Sequence, residues 1–255
     1  MSARGFLGGG DLYINRYDPS LGAFRGFEGP FEASKFEIKP NVEIKNLPSR
    51  GRSTYGQNIE TVTLPQPSDF TVELPEVNKA TLAIALLGDA VALNQGAGTM
   101  AAQPFTAIRK EVWLDLGHRN IVAAGFSITN EPGTTTYVMG VDYVVNYRMG
   151  WVKILEASAI APGAVLEASG SYNAVTGTTI RGATQTQVRA QFRLEGINFA
   201  DQLPVIVDVW EAVIAADSAF DFLASDFNTV SLPGSLKTPV GKTEPFTVEL
   251  QDNAL

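Results

Sequence analysis

An alternation of apolar and polar residues with period two recurs along this 255-residue chain and constrains its fold more than any other feature. In Phe36-Glu37-Ile38-Lys39-Pro40-Asn41-Val42-Glu43-Ile44-Lys45 the even positions are mostly apolar and the odd ones polar. Successive side chains of a strand point to opposite faces, so such a segment has one core face and one wet face. Pro40 has no N–H to give to a ladder, which predicts an edge position or a bulge. The pattern returns in Phe70–Leu74 and in Val188–Glu195, and less cleanly in Val205–Trp210. These segments predict long antiparallel strands with a solvated face, and an all-β fold.

One short segment reads as helix. Asn78 is a capping residue, and Leu82, Ala83, Ala85, Leu86 and Leu87 follow at helical spacing before Gly88. An apolar stripe on so short a helix predicts packing against a sheet. A helical turn around Asp217–Leu223 is a weaker expectation. The small residues from 94 to 104 read as a loop.

Between 106 and 177 the strands become shorter: Ala107–Leu114, Ile121–Thr129, Thr136–Tyr147, Gly150–Leu155 and Val165–Tyr172. Turn residues separate them, including Glu131-Pro132-Gly133 and Ala161-Pro162-Gly163. The long-strand pattern resumes near Thr179. The expected organisation is one β domain, residues 1–105 and 178–255, interrupted by a small β-sandwich-like module at 106–177.

Composition removes whole classes of chemistry. With no cysteine, disulfides, thiolate catalysis and cysteine-ligated metals are impossible, and the single histidine, His118, rules out multi-histidine sites. The net charge of -8 argues against gripping duplex DNA, where affinity comes from neutralising phosphates. Residues 195–255 hold 10 acidic and 2 basic residues, a deficit equal to the whole net charge. This points either to one acidic surface or to acidic loops that happen to cluster late. The first 30 residues lack a basic start followed by an apolar run, so no signal peptide is expected, and no stretch is long and apolar enough for membrane insertion.

No catalytic constellation emerges, and the chain is read as a non-enzyme without cofactor or metal. Gly5–Gly10 is glycine-rich but lacks the Lys-Ser or Lys-Thr of a phosphate loop, and reads as a flexible arm. His118 sits in a turn with no Gly-x-Ser-x-Gly elbow anywhere in the chain. Asp217, Asp221 and Asp226 do not match the spacing of a calcium loop and read as solvated surface acids. Trp113, Trp151 and Trp210 all fall in predicted strands, as core or interface anchors. The basic knot Ser49-Arg50-Gly51-Arg52-Ser53-Thr54-Tyr55-Gly56 lies between Phe36–Lys45 and Asn58–Leu64, at the tip of a predicted hairpin. It is either a mobile solvated loop or an arm that docks on an acidic surface, such as one on another copy of the chain.

These features, in this order, resemble the major tail tube proteins of long-tailed (siphovirus-type) bacteriophages. The resemblance is carried by the basic knot, Thr61–Leu64, Phe70–Leu74 and the helix ending Ile84–Gly88. It continues in Phe192–Asn198, Pro204–Trp210, Asp226-Phe227 and Gly234. Gly140–Tyr147 with Gly150–Leu155 is similar to a β-hairpin often inserted in such proteins. The resemblance implies a tail-tube-type antiparallel β-sandwich whose copies form rings, commonly hexamers, stacked into a hollow tube that conducts double-stranded DNA to the host. It implies as partners the chain itself, the tape measure protein in the lumen, and tail terminator and tail tip proteins at the ends. The location implied is the virion tail, assembled in the bacterial host cytoplasm.

In that family a long hairpin reaches the adjacent ring, which maps here onto Asn46–Gln57. Its candidate contact residues are Ser49, Arg50, Arg52, Ser53, Thr54 and Tyr55. Candidate lumen-facing residues are Glu37, Lys39, Glu43, Glu73, Gln191 and Glu195. They stand among Lys45, Arg189 and Arg193, so the wet faces mix signs and a uniformly negative lumen is not expected. A phage decoration or host-adhesion module of β-sandwich architecture, and a carboxylate-dependent hydrolase, are the competing readings.

Overall fold

The computed structural model describes residues 5–215 and 219–252. The fold is all-β and antiparallel with one short helix, and it divides into two compact units, residues 1–90 with 180–255 and residues 91–179. The first unit opens with β1 (Gly8–Asp18), β2 (Ala23–Phe24), β3 (Glu28–Glu32), β4 (Lys35–Pro48), β5 (Asn58–Leu74) and α1 (Lys79–Ala85). The chain then runs through β6 (Asp89–Gln95), β7 (Gly98–Ala107), β8 (Trp113–Asp115), β9 (Ser127–Asn130), β10 (Tyr143–Asn146), β11 (Trp151–Ile154), β12 (Ala164–Tyr172) and β13 (Val175–Arg181). It returns to the first unit for β14 (Val188–Asn198), β15 (Leu203–Ile214), β16 (Val230–Leu236) and β17 (Phe246–Leu250).

The first unit is a single sheet folded over its own core. Its backbone order is β2-β1-β14-β15-β16-β5-β4, with β3 added on β1 and β17 on β15. β16 pairs with the end of β15 at Ala212–Ile214 and with β5 at Asp69–Leu74, and so carries the sheet from one layer to the other. One layer is β3-β1-β14-β15-β17 and the other β16-β5-β4. Alternation sends Val188, Ala190 and Phe192 inward from the first and Phe70, Val72 and Leu74 inward from the second. The rings of Phe70 and Phe192 meet at 4.7 Å between centroids, in the middle of this shared core. Each of these valine, leucine and phenylalanine side chains, fully buried, is worth roughly 1.5–3 kcal/mol of transfer free energy.

The helix is held as its sequence predicts. The Asn78 side chain accepts from the backbone N–H of Ala80 and Thr81, while Thr81 Oγ1 accepts from the Asn78 N–H at 3.0 Å. That reciprocal cap is worth about 1 kcal/mol. Ile84 and Leu87 place the helix on the core, and Leu87 in the left-handed region ends it before Gly88.

In the second unit, sheets β10-β11-β8 and β7-β12-β9 enclose a separate core that includes Met100, Ile128, Ile154 and Leu166. The pair β6–β13 is the ribbon by which the chain passes between the units.

Several expectations are corrected. The inserted unit begins at Val91 rather than at 106, because β7 hydrogen-bonds along β12 from Gly98↔Tyr172 to Ala107↔Ala164. The expected loop at 94–104 is therefore mostly strand. A register shift at Ala102, whose φ is 52°, breaks the alternation and disguises it. The expected strand Ala107–Leu114 contains a turn, with only Trp113–Asp115 forming β8, and Ile121–Thr129 shrinks to Ser127–Asn130.

The glycine arm is in fact the start of β1, paired to β14 from Gly8↔Asn198. A Cβ on Gly10 would collide with the backbone of Glu195 and lie 2.5 Å from Gly196 Cα, so glycine is what lets these strands approach. His118 stacks on Tyr172 at 4.0 Å between ring centroids. No turn of helix forms at 219–223, while Asp217 lies outside the described residues.

Candidate self-assembly surface

The most conspicuous feature of the first unit is a ribbon that leaves the sheet. β4 and β5 pair from Lys35↔Glu73 out to Pro48↔Asn58, but β16 accompanies β5 only over Asp69–Leu74. Beyond Asp69 the two strands continue alone for 11 residues of β5, about 36 Å at ~3.3 Å per residue. Pro40, Pro65 and Pro67 at the root cannot donate to a ladder, and the register shifts between Lys39 and Asn41. Pro40 thus sits on an edge strand and beside a bulge. Together with Pro245, Leu236 and Phe246, these prolines line a groove of about 660 Å³.

The even positions of β4 show what the ribbon lacks. Phe36 and Ile38 pack on the core, whereas Val42 and Ile44, continuing the same alternation, are 59% and 58% exposed. Leu47, Ile59 and Val62 are exposed as well. An isolated two-stranded hairpin is marginal in water, and a long exposed apolar one is an invitation to association.

The tip is a hydrogen-bonded turn. Ser49 is buried. Its N–H donates to Gln57 O at 2.6 Å, its hydroxyl meets Thr54 Oγ1 at 2.6 Å, and Gly51 N–H donates to that hydroxyl. Ser49 and Thr54 therefore shape the tip, while Arg50, Arg52, Ser53 and Tyr55 are presented outward.

The six residues expected to line a lumen do not share one surface. Glu37, Lys39 and Glu73 lie on the wet face of the β4–β5 layer, where Lys35 bridges Glu37 (2.9 Å) and Glu73 (3.9 Å) and Lys39 faces Asp69 (3.9 Å). Glu43 lies out on the ribbon and accepts from Gln66 Nε2 at 3.1 Å. Gln191 and Glu195 belong to β14. The two layers press their apolar faces on one core, so their wet faces point away from each other.

The wet face of the β14 layer is knitted by ion pairs. Glu211 is buried and receives Arg189 Nε at 2.6 Å and Lys237 Nζ at 3.1 Å, and Arg189 also lies over the Tyr17 ring at 4.1 Å. Burial pushes the Glu211 carboxyl up, but the two cations and their hydrogen bonds outweigh it and hold the pKa below its ordinary value. Arg193 bonds Asp208 at 2.5 Å. Near one end of this layer the register aligns Glu32, Asp11, Glu195, Ile206 and Glu249 across five strands, placing four exposed carboxylates in one row.

Two features were missed in the sequence. The first is β17, whose Phe246-Thr247-Val248-Glu249-Leu250 repeats the residues of Phe70–Leu74. In β5 the valine and leucine are wholly buried; in β17, an open edge, both are 51% exposed. The internal repeat was the available signal. The second is the loop before β16, where Phe222, Leu223 and Phe227 stand in solvent among Asp221 and Asp226. Asp221 and Asp226 were read as surface residues, which their exposure bears out, but the exposure of the apolar residues beside them was not foreseen. The three tryptophans of β8, β11 and β15 are all partly exposed, and Lys242 Nζ lies 3.5 Å over the Trp210 ring.

A search of curated proteins finds no match. One family model matches residues 5–244, a span that takes in both units, the overhanging ribbon and the acidic-aromatic loop. The chain therefore belongs to the family described as Protein of unknown function UCP028589.

Proposed function

We propose that this chain is a self-assembling structural protein, a tail tube subunit of the long-tailed bacteriophage type. Copies join edge to edge into rings, and rings stack into a hollow tube that conducts double-stranded DNA. The observation that carries this reading is the overhanging ribbon at 41–66, whose apolar stripe is left more than half exposed by the described residues of its own unit. A monomer gains nothing from about 36 Å of exposed hairpin, whereas a stacked ring gains a reach into its neighbour.

Two further observations support it. The β3-β1-β14-β15-β17 layer ends in two open strands, β3 and β17, and joining such edges between copies removes them as ring closure requires. Its wet face is mostly neutralised by ion pairs, with a carboxylate row at one end. Facing a channel, such a surface offers phosphates little to hold.

The test is negative-stain electron microscopy with sedimentation of the purified protein across a concentration series. Rings or hollow tubes with a bore that admits a DNA duplex are expected. A monomer throughout the series would refute self-assembly.

A further inference from the structure

The polarity of the first unit assigns the ribbon tip a partner. Resting on the self-assembly reading above, we propose that the loop at 219–228 of one copy is the socket for the hairpin tip of the next, so that stacking runs head to tail.

The loop is ordered from within. Phe220 packs on the core and its ring meets Phe222 edge-on at 4.8 Å. Asp221 Oδ1 accepts from Leu223 N–H at 2.8 Å, Asp226 Oδ1 accepts from Phe227 N–H at 2.7 Å, and Asn228 donates to the Asp221 carbonyl. What this scaffold displays is apolar: Phe222, Leu223 and Phe227 are 69%, 92% and 98% exposed. Leu223 and Phe227 are thus almost wholly in water although the backbone around them is bonded in place.

The tip is complementary in both respects. Arg50 and Arg52 stand opposite in charge to Asp221 and Asp226, and Tyr55, Leu47 and Ile59 supply exposed apolar surface for Phe222, Leu223 and Phe227 to pack against. The row of carboxylates on the β14 layer matches the arginines but offers the apolar residues only Ile206.

Geometry forbids the contact within one copy. The loop leads into Val230, which pairs with Leu74 at one end of β5, while the tip adjoins Asn58 at the other. Those ends are ~50 Å apart at ~3.3 Å per residue. A projection at one pole and its receptor at the opposite pole make a heterologous contact, which propagates instead of closing as a dimer.

The absence of cysteine makes the test direct. A chain carrying Ser53→Cys and Ala224→Cys is assembled, treated with a short bismaleimide linker and run on a denaturing gel. A ladder of dimers, trimers and longer species is expected. A mixture of the two single variants should give only the mixed dimer. With Arg50→Glu and Arg52→Glu added, ladder yield should fall at least tenfold. Dimers from Ser53→Cys alone would mean tip against tip, and dimers from Ser53→Cys mixed with Glu195→Cys would place the tip on the carboxylate row. Either result overturns the assignment. No cross-link in protein that still forms rings or tubes overturns it while leaving self-assembly intact. Failure of the unsubstituted protein to assemble removes both.

Discussion

Replacing Val42 and Ile44 by threonine tests whether the ribbon's apolar stripe drives association. Threonine keeps the β-branched shape and strand preference, so the hairpin should still form. The two side chains are 59% and 58% exposed, so the first unit buries less than half of each and a partner has the rest to gain. Full burial of a valine or isoleucine is worth roughly 1.5–3 kcal/mol, which leaves about 1 kcal/mol apiece for docking. The hydroxyl that each threonine carries into the contact adds a desolvation cost of about 0.5 kcal/mol. The double variant should therefore lose about 3 kcal/mol per docking contact, or roughly 100-fold in the concentration needed for assembly. Surface changes that touch no core shift folding stability by less than about 0.5 kcal/mol, so the melting curve of the unassembled chain should not move. Sedimentation over a dilution series reads the first quantity and circular dichroism the second. An assembly threshold within threefold of the unsubstituted protein would refute the docking role. A lost fold would show that these residues serve the monomer.

Other perturbations separate the remaining parts of the molecule. Phe192→Ala empties the centre of the first core and should cost about 3–5 kcal/mol, lowering that unit's calorimetric transition by roughly 10 °C, while Ile154→Ala should move only the transition of the second unit. Both substitutions moving a single common transition would contradict two separate cores. Glu211 has a lowered pKa, so its contribution is present above the ordinary carboxylate range and is lost as pH falls through the lowered value. Glu211→Gln should destabilise by about 2 kcal/mol at neutral pH and give a flatter stability profile below about pH 4 in urea titrations; an unchanged acid limb would refute this. Asp11 and Glu195 face each other directly across β1 and β14, so Glu195→Gln should stabilise by about 0.5 kcal/mol, read as a melting temperature higher by roughly 1–2 °C.

What was legible in the sequence follows from where each constraint acts. β14 was plain because Val188, Ala190 and Phe192 face one core and Arg189, Gln191 and Arg193 face water, so its alternation is unbroken. β7 was hidden because the shift at Ala102 moves the inward set by one residue. The start of β1 was read as an arm because glycine has no strand preference of its own; its reason, the approach of Glu195 and Gly196, lies 185 residues away in the chain. The hairpin and its tip were visible as two alternating runs around a basic turn, but the role of Ser49 as a buried brace of that turn was not. Least legible was how strands combine. The lumen candidates were chosen by alternation alone, and alternation does not say which of two opposite wet faces a residue occupies.

The repeated pentapeptide makes the case for partners without reference to any family. Phe-Thr-Val-Glu-Leu occurs in β5 and again in β17, so propensity, pattern and side-chain volume are identical in the two places. Val72 and Leu74 are covered by the opposing layer, while Val248 and Leu250 keep half their surface in water beside an open row of backbone donors and acceptors. The difference in apolar burial amounts to roughly 2 kcal/mol that the lone chain forgoes. The ribbon repeats the contrast within one strand, where Phe36 and Ile38 are packed and Val42 and Ile44 are not. In a protein that worked as a monomer, both places would be aggregation liabilities, usually blunted by charge, prolines or a covering loop. Prolines do occur at the ribbon's root and at its tip, but Val42, Ile44, Leu47, Ile59 and Val62 remain exposed along its length. Sequence that is core-like in one setting and left uncovered in another is consistent with surface that becomes core on assembly.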